Sequence, residues 1–203
     1  MIHTKYIILA GFLFSGTAAI AQQEGTDPPA AVAEIRVFTS LSEALRQPDS
    51  VYILDLSRKK LKEVPPEIAR LKNLQELNLS KNKLKTLPPH IGKLTNLVTL
   101  KASNNDLTAL PPEIGGLQSL KHLELNRNLI VTLPAEIGLL ENLESLELWD
   151  NEIDSLPETM SKLKRLQVLE LRGILFTDEE QHAIRKMVPE CRVYFSPSCL
   201  CHD

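Results

Sequence analysis

The sequence predicts an α/β solenoid. Short parallel strands stack on one face, each returns through a short 3-10 or helical turn on the other, and a cap closes either end. Three observations predict it. Val51, Leu74, Leu97, Leu120, Leu143 and Leu166 head six segments that follow one another at a constant spacing of 23 residues. Each head alternates apolar and polar residues, as in LQELNLS from Leu74 and LESLELW from Leu143, which is the period of a strand. A Leu-Pro step then recurs at Leu87-Pro88, Leu110-Pro111 and Leu133-Pro134, where the chain enters a turn. A fixed period of this length means that each unit buries its apolar face only against its neighbours.

Composition agrees with one such domain. The chain has 203 residues, 43% of them hydrophobic and only 4% aromatic, so leucine and isoleucine must fill the core. A net charge of −3 argues against a sequence-independent nucleic-acid binder, which needs clustered Lys and Arg to displace counterions from phosphates. No nucleic-acid motif is present, and no nucleic-acid partner is expected.

Residues 1–21 read as a secretory signal peptide. Lys5 supplies the positive charge, Tyr6 to Phe14 (YIILAGFLF) the apolar region, and Ala19-Ile20-Ala21 the small-residue cleavage site. The apolar run is shorter than the roughly 20 residues that span a bilayer. Cleavage after Ala21 is expected, with a secreted, periplasmic or cell-envelope location and no membrane span afterwards. Residues 22–33, rich in Pro, Gln and acidic side chains, read as a flexible mature N-terminus. Residues 34–50 read as the N-terminal cap. IRVF is a short strand, and Ser40 to Glu43 has capping-box spacing before a helix that Pro48 ends.

The repeats occupy residues 51–173. Leu77 and Leu79, Leu123 and Leu125, Leu146 and Leu148 point inward from their strands. Asn82, Asn105, Asn128 and Asn151 recur at the ninth position, where the chain leaves the strand. Their amides can satisfy backbone groups that would each cost roughly 1–3 kcal/mol if left buried and unpaired, so they read as a structural ladder. Ile68, Ile91, Ile114, Ile137 and Met160 cover the core from the turn side. Lys59 and Ile174 replace the ladder Asn at the two ends, and Ala102 replaces an inward leucine in the middle.

The LxxLxLxxN head with the LPPxI turn resembles the bacterial 23-residue LPxxI type of leucine-rich repeat, over about two thirds of the chain. The resemblance implies a curved parallel sheet on a concave face and short 3-10 or helical turns on the convex face. It also implies a non-catalytic scaffold that binds a protein partner on the concave face. Two other readings stay open: a carbohydrate or cell-wall binder, and an intracellular signalling scaffold if the N-terminus is not cleaved.

Residues 174–195 form the C-terminal cap, similar to the helix-plus-strand caps of other secreted bacterial repeat proteins. Thr177 to Glu180 is a capping box, Ala183, Ile184, Met187 and Val188 share a helical face, Pro189 stops the helix, and CRVYF is a final edge strand. The tail 196–203 carries Cys199 and Cys201. In an oxidising compartment Cys191 is expected to pair with Cys199 or Cys201. The Cys199-Leu200-Cys201-His202 ending lacks the four closed ligands of a structural zinc site, so neither metal nor cofactor is expected.

The outward strand positions form columns. One reads Asp55, Asn78, Lys101, Glu124, Glu147, Glu170, the next Ser57, Ser80, Ser103, Asn126, Trp149, Arg172, and a third Ile53, Glu76, Thr99, His122, Ser145, Val168. The last three repeats therefore hold a carboxylate ladder of Glu124, Glu147 and Glu170. Beside it lie His122, Asn126 and the chain's single tryptophan, Trp149. Trp and Arg are enriched among binding hot spots, and Arg172 is a candidate to stack on Trp149. Lys101, Arg127 and Arg172 are placed to relieve the acidic ladder. A Ser-His-Glu set of Ser145, His122 and Glu124 or Glu147 is set aside, because an open face without a nucleophile elbow or oxyanion donors does not support catalysis. Trp149, Arg172, Glu124, Glu147, Glu170, His122, Asn126 and Arg127 are the expected partner-binding residues, on a chain expected to be monomeric.

Overall fold

The structure, a computed structural model, describes residues 36–196. The expected signal peptide, the residues 22–35 that follow it, and Cys199, Cys201 and His202 lie outside the described residues. Eight strands form one open, all-parallel sheet in chain order: β1 (Val37–Phe38), β2 (Ile53–Asp55), β3 (Glu76–Asn78), β4 (Thr99–Lys101), β5 (His122–Glu124), β6 (Ser145–Glu147), β7 (Val168–Leu171) and β8 (Arg192–Phe195). The register advances by one repeat per strand, so Leu54, Leu77, Leu100, Leu123, Leu146 and Leu169 align in a single inward row. All six are fully buried. Five-residue 3-10 turns return the chain on the opposite side, at Pro66–Arg70, Pro89–Lys93, Pro112–Gly116, Ala135–Leu139 and Glu158–Lys162. In each, an extended proline precedes the turn, and the central Ile68, Ile91, Ile114, Ile137 or Met160 plugs the core.

Beyond each strand the parallel ladder continues, for example from Leu79 N to Lys101 O at 2.7 Å and from Lys81 N to Ser103 O at 2.8 Å. The chain then turns through a left-handed residue at the eighth position of every repeat: Arg58, Lys81, Asn104, Arg127, Asp150 and Gly173, with φ between 55° and 78°. Only the last is the glycine that this conformation favours. The ladder asparagines brace the turn from beneath. Asn128 accepts from Leu107 N (3.2 Å) and donates to Ala102 O (3.1 Å) and Leu125 O (2.7 Å). Asn105 and Asn151 make the same set one repeat away. Each amide therefore ties its own turn to the preceding repeat. A second hydrogen-bonded run follows along the flank, with Lys83 N to Leu61 O (2.8 Å), Asp106 N to Leu84 O (2.9 Å), Leu129 N to Leu107 O (2.9 Å) and Glu152 N to Ile130 O (3.0 Å).

Two further columns are present that the sequence reading passed over. Asn73 donates its side-chain amide to Asp49 O of the N-terminal cap, and Asn96 and Asn142 donate theirs to Lys72 O and Gln118 O of the preceding repeat, all at 2.8–2.9 Å. On the turn face, a Cβ at Gly92 would stand 2.2 Å from Glu113 O, and one at Gly138 would stand 2.4 Å from Thr159 O. Adjacent 3-10 turns meet backbone to backbone there, with no room for a side chain.

The caps differ from expectation at one end. The helix α1 is a single turn, Leu41–Ala44, and Ser40 makes no capping bond. Glu43 instead pairs with Arg36, and Ser40 Oγ bonds Ser42 Oγ at 2.9 Å, so the predicted capping box is not formed. Pro48 opens a 3-10 turn, Pro48–Ser50, rather than ending the helix. At the other end α2 (Asp178–Met187) carries the capping box in full. Glu180 N donates to Thr177 Oγ1 at 3.3 Å, and Thr177 N donates to Glu180 Oε2 at 2.8 Å. Strand β8 then adds parallel to β7, with Val193 buried under it. Ala102 is fully buried within the core.

Candidate functional site

The outer sheet face is built from the strand residues between the inward leucines, held at a rung spacing of about 4.8 Å. The register puts His122 beside Ser145 and Glu124 beside Glu147, with Glu170 next, as the columns require. Strand β8 lengthens the central column by Tyr194, opposite Glu170 and 45% exposed.

The carboxylates do not form one uniform acidic strip. Glu170 is buried apart from 7% of its surface, and Arg172 clamps it through Nε (2.8 Å) and Nη2 (2.7 Å) while Arg172 N donates a third bond (3.1 Å). Burial alone pushes the Glu170 pKa up, but these bonds from Arg172 outweigh it and hold the carboxyl below its usual range. Glu147 accepts from Asn126 Nδ2 at 2.7 Å. Glu124 is the least compensated. Burial raises its pKa, Lys101 at 3.9 Å opposes that, and repulsion from Glu147 and Glu76 adds to the rise, so the net shift is upward. Lys101 sits closer to Glu76, at 3.1 Å. Burial works against its charge, but Glu76, helped by Glu124 and Asp55, holds its pKa above the ordinary value.

Trp149 is partly exposed at the border of this face. Its stacking partner is Arg127, whose guanidinium lies 4.4 Å from the ring centroid. Arg172, the candidate from the sequence, is drawn instead to Glu170 and lies 5.9 Å from the Tyr194 ring. The reason is local: Arg127 occupies the left-handed turn position of the preceding rung, which returns its side chain across Trp149, while Arg127 N donates to Trp149 O at 2.9 Å. Arg127 Nε also reaches Asp150 Oδ2 at 3.6 Å. Asn126, placed outward by the column pattern, is buried with 6% exposure. It donates to Glu147 and accepts from Trp149 N at 3.1 Å, so it fixes the backbone under the tryptophan. Ser103 Oγ, one rung before Asn126, is buried with no partner among the described residues.

What the arrangement offers is an open, hydrogen-bonded surface, polar in its first rungs and aromatic, arginine-rich and acidic in its last. Among the described residues no group of three or more His, Cys, Asp and Glu side chains converges to hold a metal ion. No helix among them is long and apolar enough to cross a membrane. Cys191 is half-buried at the end of the C-terminal cap, where burial pushes its thiol pKa up to about 11.

A family profile described as a leucine-rich repeat region matches residues 51–128 and 112–187. The chain belongs to the leucine-rich repeat family. Members of this family typically serve as interaction modules rather than enzymes. A leucine-rich repeat protein of Leptospira interrogans is 34% identical, with a TM-score of 0.65 over 80% of this chain and 47% of that one. Internalin C2 of Listeria monocytogenes is 24% identical with a TM-score of 0.65, over 78% of this chain and 66% of its own. The plant peptide hormone receptor RGFR1, solved in complex with RGF2, is 28% identical with a TM-score of 0.53, over 70% of this chain and 28% of the receptor. This chain thus spans about half of the Leptospira structure and less of the plant receptor. No curated protein matches it.

Proposed function

We propose that this protein is a non-catalytic module of the secreted or envelope compartment that binds a protein partner on the outer sheet face, in its C-terminal half. The observation that carries the reading is the pinned tryptophan. Trp149 is partly exposed, with Arg127 stacked on its ring and its backbone N–H bound by Asn126. A large, rigid aromatic loses little conformational freedom on contact, which is why such residues dominate binding energies. Tyr194 and Arg172 extend the same patch toward the end of the sheet, and the partly uncompensated Glu124 and Glu147 favour a partner with basic residues facing them. That a similar repeat receptor was solved with a bound partner supports the class of function. The apolar run of residues 6–14 and the Ala-Ile-Ala step support the compartment.

Affinity capture from the native surroundings, followed by titration of the single tryptophan's fluorescence, tests the site. Trp149→Ala, read by isothermal titration calorimetry because the variant lacks the chain's single tryptophan, should weaken binding of the captured partner by at least about 2 kcal/mol, roughly 30-fold in Kd. Unchanged affinity in that variant refutes the site. Retention on purified cell wall that Trp149→Ala abolishes replaces the protein partner with a glycan. Mass spectrometry of the mature N-terminus tests the compartment: a chain beginning at Gln22 is expected, and a cytoplasmic chain still beginning at Met1 refutes export.

A further inference from the structure

The flank beyond the left-handed turns carries a charge pattern independent of the outer face. Each repeat runs along it with alternate side chains exposed, and backbone bonds between neighbouring rungs keep them in register. The first rung presents Arg58, Lys60 and Lys62, and the second Lys81, Lys83 and Lys85, all exposed. None of these six forms an ion pair with another described residue, whereas the fourth rung's Arg127 lies 3.6 Å from Asp150 of the fifth, an exposed pair that leaves Glu152 and Asp154 without one among the described residues. The fifth rung presents Asp150, Glu152 and Asp154, and α2 begins just beyond it with Asp178 and Glu179. Between the two ends, the fourth rung exposes Leu129 and Val131, at 44% and 38%. One flank is therefore basic at one end, acidic at the other and apolar near its middle.

We propose that this flank is a self-association surface on which two copies of the chain meet antiparallel. The twofold axis lies along the rungs, midway between the third and the fourth. That rotation reverses the order of the rungs while keeping the order of residues within each. It sets Lys81 against Asp150, Lys83 against Glu152 and Lys85 against Asp154, twice over by symmetry. It also sets the basic first rung against the start of α2, and brings Leu129 opposite Asp106 and Val131 opposite Thr108 on either side of the axis. A parallel arrangement would oppose lysine to lysine and is disfavoured. The patch extends over six rungs, about 24 Å at the strand spacing. Such a contact falls in the small, weak class of interfaces below roughly 1,200 Å², so its association is reversible and salt-sensitive. The monomer expected from the sequence then describes only dilute or high-salt conditions, and the outer sheet face remains free in the pair.

Sedimentation equilibrium of the mature chain, run as a concentration series at low salt and again at about 0.5 M salt, reads the association directly. The expected result is a mass that rises to twice the monomer, stops there, and returns to the monomer at high salt. Two variants sharpen the test: K81E/K83E/K85E and D150K/E152K/D154K. Each alone should lose the dimer, because both of its symmetry-related contacts become repulsive. An equimolar mixture of the two should recover it, because both contacts become attractive. All the substituted side chains are exposed, and circular dichroism checks that each variant is folded. A wild-type chain that stays monomeric throughout overturns the proposal, as does a mixture that fails to recover the dimer. A monomeric chain that instead binds a sulfated or phosphorylated polymer through the lysine rungs overturns it in favour of a polyanion site.

Discussion

Replacing Asn128 by alanine tests the physical account of the stack where it is most exacting. The side chain is 5% exposed; it accepts from Leu107 N, which has no other described partner, and donates to Ala102 O and Leu125 O, each of which also accepts from a neighbouring ladder amide, Asn105 or Asn151. Alanine leaves the Leu107 N–H unpaired and takes one of two donors from each carbonyl. At about 1–3 kcal/mol for the unpaired buried N–H and about 0.5 kcal/mol for each lost bond to a carbonyl that keeps its other donor, the expected loss is about 2–4 kcal/mol. Asn82 makes an equivalent set of bonds from Lys59 N, Leu61 N, Leu56 O and Leu79 O. It lies at the edge of the array and is only half-buried, so water can replace much of what is lost. Asn82→Ala should therefore cost about half as much, near 1.5 kcal/mol. Urea unfolding followed by Trp149 fluorescence measures both, with the stability change read from the midpoint at constant m-value. A loss below about 1 kcal/mol for Asn128→Ala, or an equal loss for the two variants, refutes the argument that burial sets the worth of the ladder.

Other outcomes follow from the same structure. Gly92→Ala puts a Cβ 2.2 Å from Glu113 O and should destabilise by about 1–3 kcal/mol through overpacking. The same change at Gly173, strained for its φ of +78°, should cost about 1–2 kcal/mol for a different reason, and thermal melts of both variants check the pair. At Asn104, whose φ is 58°, glycine should be nearly neutral and valine should cost about 1–2 kcal/mol, since a β-branched side chain resists the left-handed region. Glu170 has a folded pKa below its unfolded one, so its contribution is present above the unfolded value and is lost as pH falls through the depressed folded value. Glu170→Gln should destabilise at neutral pH and remove that acid-side loss. Glu124, shifted upward, has the opposite sign: its ionisation opposes folding at neutral pH, and Glu124→Gln should leave stability unchanged or raise it. Urea midpoints at neutral and acid pH decide both, and a Glu170→Gln deficit of equal size at the two pH values counts against the clamp by Arg172.

The repeats were legible because one physical requirement is restated six times in the same phase. An inward leucine at each of two alternating positions, an amide at the turn and a proline before the 3-10 segment leave no other register for the strands. Local choices between similar partners were less legible. At Ser40 the sequence offers a capping box, but Glu43 finds Arg36 and the serine finds Ser42. At Trp149 the columns pointed to Arg172, because they treat each rung as a straight strand. The left-handed turn at Arg127 is invisible in that picture, and it is what delivers the stacking cation. The Asn73, Asn96 and Asn142 column and the glycines at the 3-10 turns stood in the sequence at the repeat spacing. Their meaning depended on how closely neighbouring repeats approach, which periodicity does not report.

The hydrogen-bonded columns have a consequence for how such a chain can change length. Strand ladder, turn amides, flank bonds and turn-face contacts all link residues one repeat apart, and each has its own fixed offset within the repeat. Inserting or deleting a single residue in any repeat shifts some of these columns and not others, so the mismatch cannot be absorbed by sliding. Duplicating or removing a whole repeat preserves every one of them. Growth and loss are therefore quantised in steps of one repeat, and the residues free to change identity singly are the exposed ones of the outer face and the flank, whose side chains take no part in the bonds between repeats.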